Sequence, residues 1–414
     1  MKKLKLSLVF AALTASFTTL ADSVAITNTT VYTGTEQGVL TGANVVIEDG
    51  KVVSINPAEL NVDSTVDGQG RILTAGFISS LNQLGLVEVD AVSASRDMSA
   101  KKGGISFEPF LAFNPNSTLI PFSRKGGITH SVIAPRGSEG IWAGQVFTAS
   151  LSGEYDSVVD TNTATLAYFG SERRGSRASS LATFEKELQD QLDKLKKAKE
   201  KSKDDDKKDS KAPSKEEQIL TSLLDGSKPL IADVERATDI LHLLKLKERF
   251  GLNLVLSGAK DAVRVKDQIA EAGVPVIMES LSNLPGSFDS LNASLENAAE
   301  LERAGVKLIL TQPDTHLSYN LRTDAGVAIA NGLSREGALN AVTKNVADVF
   351  GLPGGVVAEG QPANLVLWSG DPFEISTKVE NIWIDGEQVT TESRQDKLRD
   401  RYTSKEKKPR GYIK

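Results

Sequence analysis

"GLNLVLSGAKDAVRVKDQIAEAGVPVIMES", residues 251–280, holds the fold in miniature. "LNLVLSG" is an apolar run of strand length, "AKDAVRVKDQIAEAG" is patterned as a helix that Gly273 closes, and "VPVIMES" is a second strand. The alternation continues outward. Upstream lie the strand "KPLIADV" and the amphipathic "ERATDILHLLKLKERFG"; downstream come the helix "NASLENAAELERAG" and the strand "VKLILTQPD". "GITHSVIAP" is an earlier strand ending at Pro135. Strands alternating with helices, with Gly251, Gly273 and Gly305 at helix ends, predict a parallel sheet with crossover helices. The number of units favours an α/β fold of the closed (β/α)8 TIM-like type. A doubly wound open sheet is the alternative, and the chain has no GxGxxG turn to support it.

Both ends of the chain read as β structure. "NVVIEDGKVVSI" sets Asp49-Gly50 between β-branched runs, and "NIWIDGEQV" repeats the device at Asp385-Gly386, both strong hairpin signals. Residues 22–72 and 356–395 are therefore expected to build one small composite β-sandwich around a barrel of residues 73–355. A charged tail, 396–414, follows. Within the barrel, residues 183–218 break the regularity. Leu181, Phe184, Leu188, Leu192 and Leu195 recur at helical spacing and lead into "KKAKEKSKDDDKKDSKAPSKEEQ", a mixed-charge stretch read as a solvated, partly disordered insertion.

The first 21 residues carry the parts of a secretory signal. Lys2, Lys3 and Lys5 precede an apolar run, and Thr19 and Ala21 suit the small-residue cleavage positions. Thr14, Ser16, Thr18 and Thr19 make that run too polar for a membrane span. The expected location is the periplasm. With no cysteine the exported chain has no disulfide, so its core must suffice. The formal charge of −6 becomes −9 once the three signal lysines are removed, which argues against nucleic-acid binding. No later segment is apolar enough to span a membrane.

Five segments carry a resemblance: "VVIEDGKVVSI", "ILTAGFISSLNQLGL", "GGITHSVIAPRGSEGIWAGQ", "LRTDAGVAIANGLSREGALNAVTKNVADVFGL" and "GQPANLVLWSGDPFEISTKVENIWIDGEQV". Together they are similar to the amidohydrolase superfamily, most of all its imidazolonepropionase-like and prolidase-like secreted branch. The resemblance implies a (β/α)8 barrel flanked by a sandwich from both termini. It also implies hydrolysis of carbon–nitrogen bonds other than peptide bonds by water bound to zinc or another divalent metal. The ligands would sit at the C-terminal ends of barrel strands.

Carried over position by position, the metal centre is missing. Where the family has two histidines one residue apart after the first barrel strand, this chain has Leu81 and Gln83. A third histidine corresponds to Asp233 and a fourth to Ser257 and Gly258. The aspartate after the last strand corresponds to Gln312 or Asp314. No cofactor is therefore expected, although the family would use zinc or another divalent ion. His130 sits near the start of its strand, toward the barrel's stability face, and His242 lies within an amphipathic helix. Asp314 and His316 follow the last strand and are the candidate catalytic pair at the mouth. Gln83, Arg136, Asp233, Ser257 and Glu279 are the candidate ligand-binding residues; Asp233, Glu279 and Asp314 could also form an all-oxygen cation cage, or be solvated loop carboxylates. No GxSxG elbow and no cysteine offers another nucleophile.

The expectation is thus an exported amidohydrolase-family protein, metal-depleted and catalytically impaired. Its partners would be a small amide or peptide-like ligand or an active paralogous amidohydrolase. The alternatives are a carbon–nitrogen hydrolase with a non-standard oxygen-rich site and a periplasmic binding or scaffold protein.

Overall fold

The computed structural model describes residues 23–137, 139–170, 176–201 and 212–404. The expected signal segment, most of the charged run and the end of the tail lie outside the described residues. Eight strands form the barrel sheet in chain order: Phe77–Asn82, Ile128–Ile133, Trp142–Ser150, Val158–Tyr168, Pro229–Val234, Asn253–Gly258, Val276–Met278 and Leu308–Leu310. Ile78, Val132, Val146, Leu166, Ile231, Val255, Ile277 and Ile309 fill its interior as one buried cluster. Helices Ala237–Phe250, Lys266–Glu271 and Asn297–Arg303 cross between the later strands. Gly251, Gly273 and Gly305 end these helical units in the left-handed conformation that glycine adopts at least cost.

The barrel departs from uniform β/α alternation at one place. Trp142–Ser150 runs antiparallel to both neighbours. Only residues 134–141 and 151–157 separate it from those neighbours in sequence, and a parallel crossover needs a dozen residues or more. The seam is also irregular. Among the described residues no backbone ladder joins Leu308–Leu310 to Phe77–Asn82. Side chains bridge it instead: Thr311 Oγ1 donates to the Ser80 carbonyl, and the Gln83 amide donates to Thr315 Oγ1 at 3.1 Å.

The termini form the second body. Val24–Tyr32, Val39–Glu48, Lys51–Ile55, Ser64–Asp67 and Ile72–Ala75 join Leu365–Trp368, Val379–Ile384 and Glu387–Gln388 in one eight-stranded sheet. Ile72–Ala75 pairs with Leu365–Trp368, so the two ends share a ladder. Ile26, Val45, Leu73, Leu365 and Trp383 make its buried core. Trp368 ties this body to the barrel: its indole donates to Thr74 Oγ1 at 2.9 Å, and its ring lies 5.2 Å from that of Phe77. Ile72–Ala75 belongs to this sheet, so the barrel begins at Phe77 rather than at residue 73.

The insertion differs from its expected form. Its helix begins earlier, at Arg177, and runs to Lys201. Phe184 and Leu188 are fully buried, with Phe184 ring centroids 5.1 Å from Phe169 and 5.5 Å from Trp142. After the undescribed run, helix Lys215–Leu224 starts with a reciprocal Ser214–Glu217 capping box and buries Ile219 and Leu223. Both helices are part of the core, because their apolar stripes find barrel surface to cover. The tail is likewise not free where it is described. Helix Arg394–Thr403 is capped by Ser393 and docks through an Asp396–Lys125 ion pair.

Candidate functional site

At the C-terminal ends of the barrel strands lies a cavity of about 510 Å³. Gln83, Arg136, Asp233, Ser257, Glu279 and Asp314 all line it, as do Leu81, Tyr168, Glu235, Lys260, Met278 and Thr311. Strand parity explains the convergence. Asp233, Ser257 and Glu279 stand two residues beyond Ile231, Val255 and Ile277, the inward-facing residues of their strands. The first strand reaches the mouth irregularly: its register with Ile128–Ile133 slips between Ser80 and Asn82, leaving Leu81 bulged at φ +58°. A left-handed leucine is an uncommon conformation, and the bulge turns its side chain toward the barrel interior.

The expected catalytic pair is not assembled. Asp314 Oδ1 accepts the His316 amide at 3.1 Å and thereby caps the short helical turn Thr315–Asn320. His316 is not among the lining residues, and no hydrogen bond among the described residues joins its imidazole to Asp314. Of the two positions open for the family aspartate, Asp314 lines the cavity. Gln312 turns away and donates to Asp324 Oδ2 at 2.9 Å. Burial raises the Asp324 carboxyl to about 6, with Glu279 adding to the rise and Gln312 opposing it. His130 stands two residues before the inward Val132, on the same face but nearer the N-terminal end of its strand; burial pushes its imidazole down to about 4 against the pull of Asp385. It is remote from the mouth, as its place in the strand implied.

Glu235 and Lys260, which also line the cavity, escaped the sequence reading. Gly258 at φ +77° and Ala259 at φ +48° turn the chain sharply after the sixth strand. The turn brings the Lys260 amide to Glu235 Oε2 at 2.9 Å and the Asp261 amide to the Glu235 carbonyl at 3.0 Å. A Cβ on Gly258 would stand 2.8 Å from Glu235 Oε1, so only glycine leaves the carboxylate its place. Burial raises Glu235 to about 7; the Lys260 amide and ammonium oppose the rise, and Asp233 and Glu279 add to it. The available signal was "SGAKD", a glycine directly after an apolar strand with a lysine two residues on, but nothing in it points across to residue 235.

These donors do not fit a transition-metal centre. Leucine offers no ligand, and one glutamine amide, one serine hydroxyl and dispersed carboxylates replace imidazoles. Among the described residues, no group of three or more histidine, aspartate or glutamate side chains is placed to hold a metal ion. Comparison with known proteins gives this arrangement its context. Residues 196–391 match the amidohydrolase family. The fold is the amidohydrolase fold throughout. A Thermotoga maritima amidohydrolase superposes with a TM-score of 0.80 at 24% identity, over 88% of this chain and 99% of that one. A prolidase complexed with N-methylphosphonate-L-proline gives 0.57 at 16% identity, over 89% and 99%. A zinc-bound adenosine deaminase from Xanthomonas campestris gives 0.52 at 16% identity, over 92% and 98%. No curated protein sequence matches the chain. Among the described residues no helix of this amidohydrolase-fold chain is long and apolar enough to cross a membrane.

Proposed function

We propose that this protein is an exported amidohydrolase-family member that has lost the metal-dependent hydrolytic centre and keeps the barrel mouth as a small-molecule binding cavity. The observation that carries the proposal is the set of side chains at the four histidine positions: Leu81, Gln83, Asp233 and Ser257 all line one cavity and cannot together supply a zinc ligand set. A volume of about 510 Å³ suits a small organic ligand. Without a Lewis acid, proton transfer from a side chain such as Glu235 supplies only ~10²–10⁴-fold acceleration. That is a small part of the enhancement an amidohydrolase needs. Export rests on the lysine-led apolar leader and the small residues at 19 and 21.

The test is calorimetric titration of the mature protein with zinc, followed by assay on a panel of amides and dipeptides. The expected result is no saturation at one equivalent and no turnover that zinc stimulates. Saturable binding near one equivalent, with zinc-dependent hydrolysis, would overturn the proposal.

A further inference from the structure

The chain between the seventh strand and the helix Asn297–Arg303 leaves apolar side chains in water beside the cavity. Leu284 is 77% exposed, Phe288 92% and Leu291 61%, and Leu281 is exposed with them. A single exposed apolar residue is ordinary, but four within eleven residues mark a surface that something covers. The segment is anchored at both ends. Ser280 Oγ donates to the Asp324 carbonyl at 2.8 Å, and Asn292 Nδ2 donates to Asp261 Oδ1 at 2.5 Å. Between the anchors Asp289 pairs with Arg177. The other hydrogen bonds among the described residues are local, such as that from the Ser287 amide to Ser290 Oγ at 3.0 Å. Gly286 follows Pro285, and beyond its chain neighbours nothing lies within 4 Å of where its Cβ would stand, so the bend there is unpacked.

Position and charge decide what covers this patch. Ser287 and Asp289, on either side of Phe288, already line the cavity, while Phe288 itself stands outside it in solvent. Residues 279–302 include Glu279, Asp289, Glu296, Glu300 and Glu302 but no lysine or arginine, so an anionic membrane surface does not attract them. We infer that residues 281–291 are a lid over the barrel mouth, and that the ligand carries an apolar group on which Leu284 and Phe288 close. The inference rests on the cavity's being a small-molecule site. Closure needs only a few residues to change conformation, and Gly286 is free to do so. Arg177 also pairs with Asp239 at 3.6 Å, so it keeps a carboxylate when Asp289 moves with the lid. Beneath the lid the ligand meets Leu81, Leu166 and Ile277 of the cavity wall. Among the described lining residues five carboxylates stand against two cations, which disfavours an anionic ligand.

The experiment titrates the full mature protein, with and without EDTA, with N-phenyl-1-naphthylamine, a neutral aromatic amine whose fluorescence rises in apolar surroundings. The dye is expected to saturate near one equivalent, equally with EDTA. At saturation chymotrypsin cleavage after Phe288 should slow about tenfold or more, since cleavage follows the open population. Leu284→Ser combined with Phe288→Ser, both at exposed positions, should leave the melting temperature nearly unchanged. The pair should weaken the dye about 10–100-fold, the range for burying one leucine or phenylalanine side chain. Leu81→Asn alters the cavity wall and not the lid, and asparagine suits the left-handed conformation there. It too should weaken the dye and shift the protection of Phe288 to higher dye concentration. Undiminished binding by the double variant, saturation without protection of Phe288, or binding indifferent to Leu81→Asn would overturn the inference. So would a concentration-dependent dimer in sedimentation velocity that the double variant abolishes, because the patch would then belong to a second copy of the chain. No saturable binding, or binding lost in EDTA, would instead contradict the metal-free ligand cavity on which the lid rests.

Discussion

The Lys260 amide donates to Glu235 Oε2 at 2.9 Å across the mouth of the barrel, joining the exits of the fifth and sixth strands. The contact exists because Gly258 and Ala259 take left-handed conformations in succession. The alanine stores about 1–2 kcal/mol of backbone strain there. Strain held at a strand end beside a cavity is a recurrent mark of a functional site. The position of Glu235, more than its residue type, makes it a group that changes charge near neutrality.

Glu235 should therefore leave a pH signature on stability. Its carboxyl is raised from 4.5 to about 7 in the folded chain, chiefly by burial. Between those values the folded state holds a proton that the unfolded state has released, so stability falls as pH rises through this window. The penalty is complete above about 7, at roughly 1–3 kcal/mol. Glu235→Gln removes it. Melting curves should show the variant gaining on the wild type from mildly acidic to mildly alkaline pH, then holding a constant lead. A lead that is the same at every pH would contradict the assignment.

The tips of the two terminal hairpins touch. Asp49-Gly50 and Asp385-Gly386 are both left-handed turns, and a Cβ on Gly386 would stand 2.7 Å from Gly50 Cα. Gly386→Ala should destabilise by about 1–3 kcal/mol through lost conformational freedom and backbone crowding. Denaturant titration measures it, and a change within 0.5 kcal/mol, the ordinary range for a surface substitution, would mean that the tips do not pack.

The helix Arg177–Lys201 contributes to the core through Phe184, packed between Phe169 and Trp142. Phe184→Ala should cost about 3–5 kcal/mol. A cost below about 1 kcal/mol in urea unfolding would return the helix to the solvated insertion suggested by its charge.

Much of the architecture is legible in residues because the later strands and helices keep their own periods. "VVIEDGKVVSI" and "NIWIDGEQV" announce hairpins, and each strand from Pro229 onward is bounded by turn or helix signals. The antiparallel strand Trp142–Ser150 is not legible. All nine of its residues are buried, so no alternation of apolar and polar marks it, and Gly144, Gln145 and Thr148 hide its character. At the site, Asp233 and Ser257 were readable through the resemblance, which places ligands at those strand ends, and Glu279 because it follows a strand. His316 misled for the same reason: its place in the chain is right, but the Asp314 cap spends the partner carboxylate on a backbone amide. Lys260 and Glu235 meet only through a turn whose left-handed residues include an alanine, which no local pattern signals.

Returning histidines to positions 81, 83, 233 and 257 tests whether ligands are all that is missing. The four positions line one cavity, and histidine tolerates the left-handed conformation at 81 better than leucine does. The quadruple variant should bind about one equivalent of zinc, seen as a rise in melting temperature that a chelator reverses. No zinc-dependent rise in a folded variant would show that the backbone of the mouth has also diverged.

The most direct measurement is the metal content of the unmutated mature protein, purified without chelator and analysed by inductively coupled plasma mass spectrometry. With Leu81, Gln83, Asp233 and Ser257 at the ligand positions, zinc, manganese, iron, cobalt and nickel should each be far below one equivalent. Close to one equivalent of any of them, retained through dialysis, would contradict the loss of the metal centre and restore a metal-dependent hydrolase.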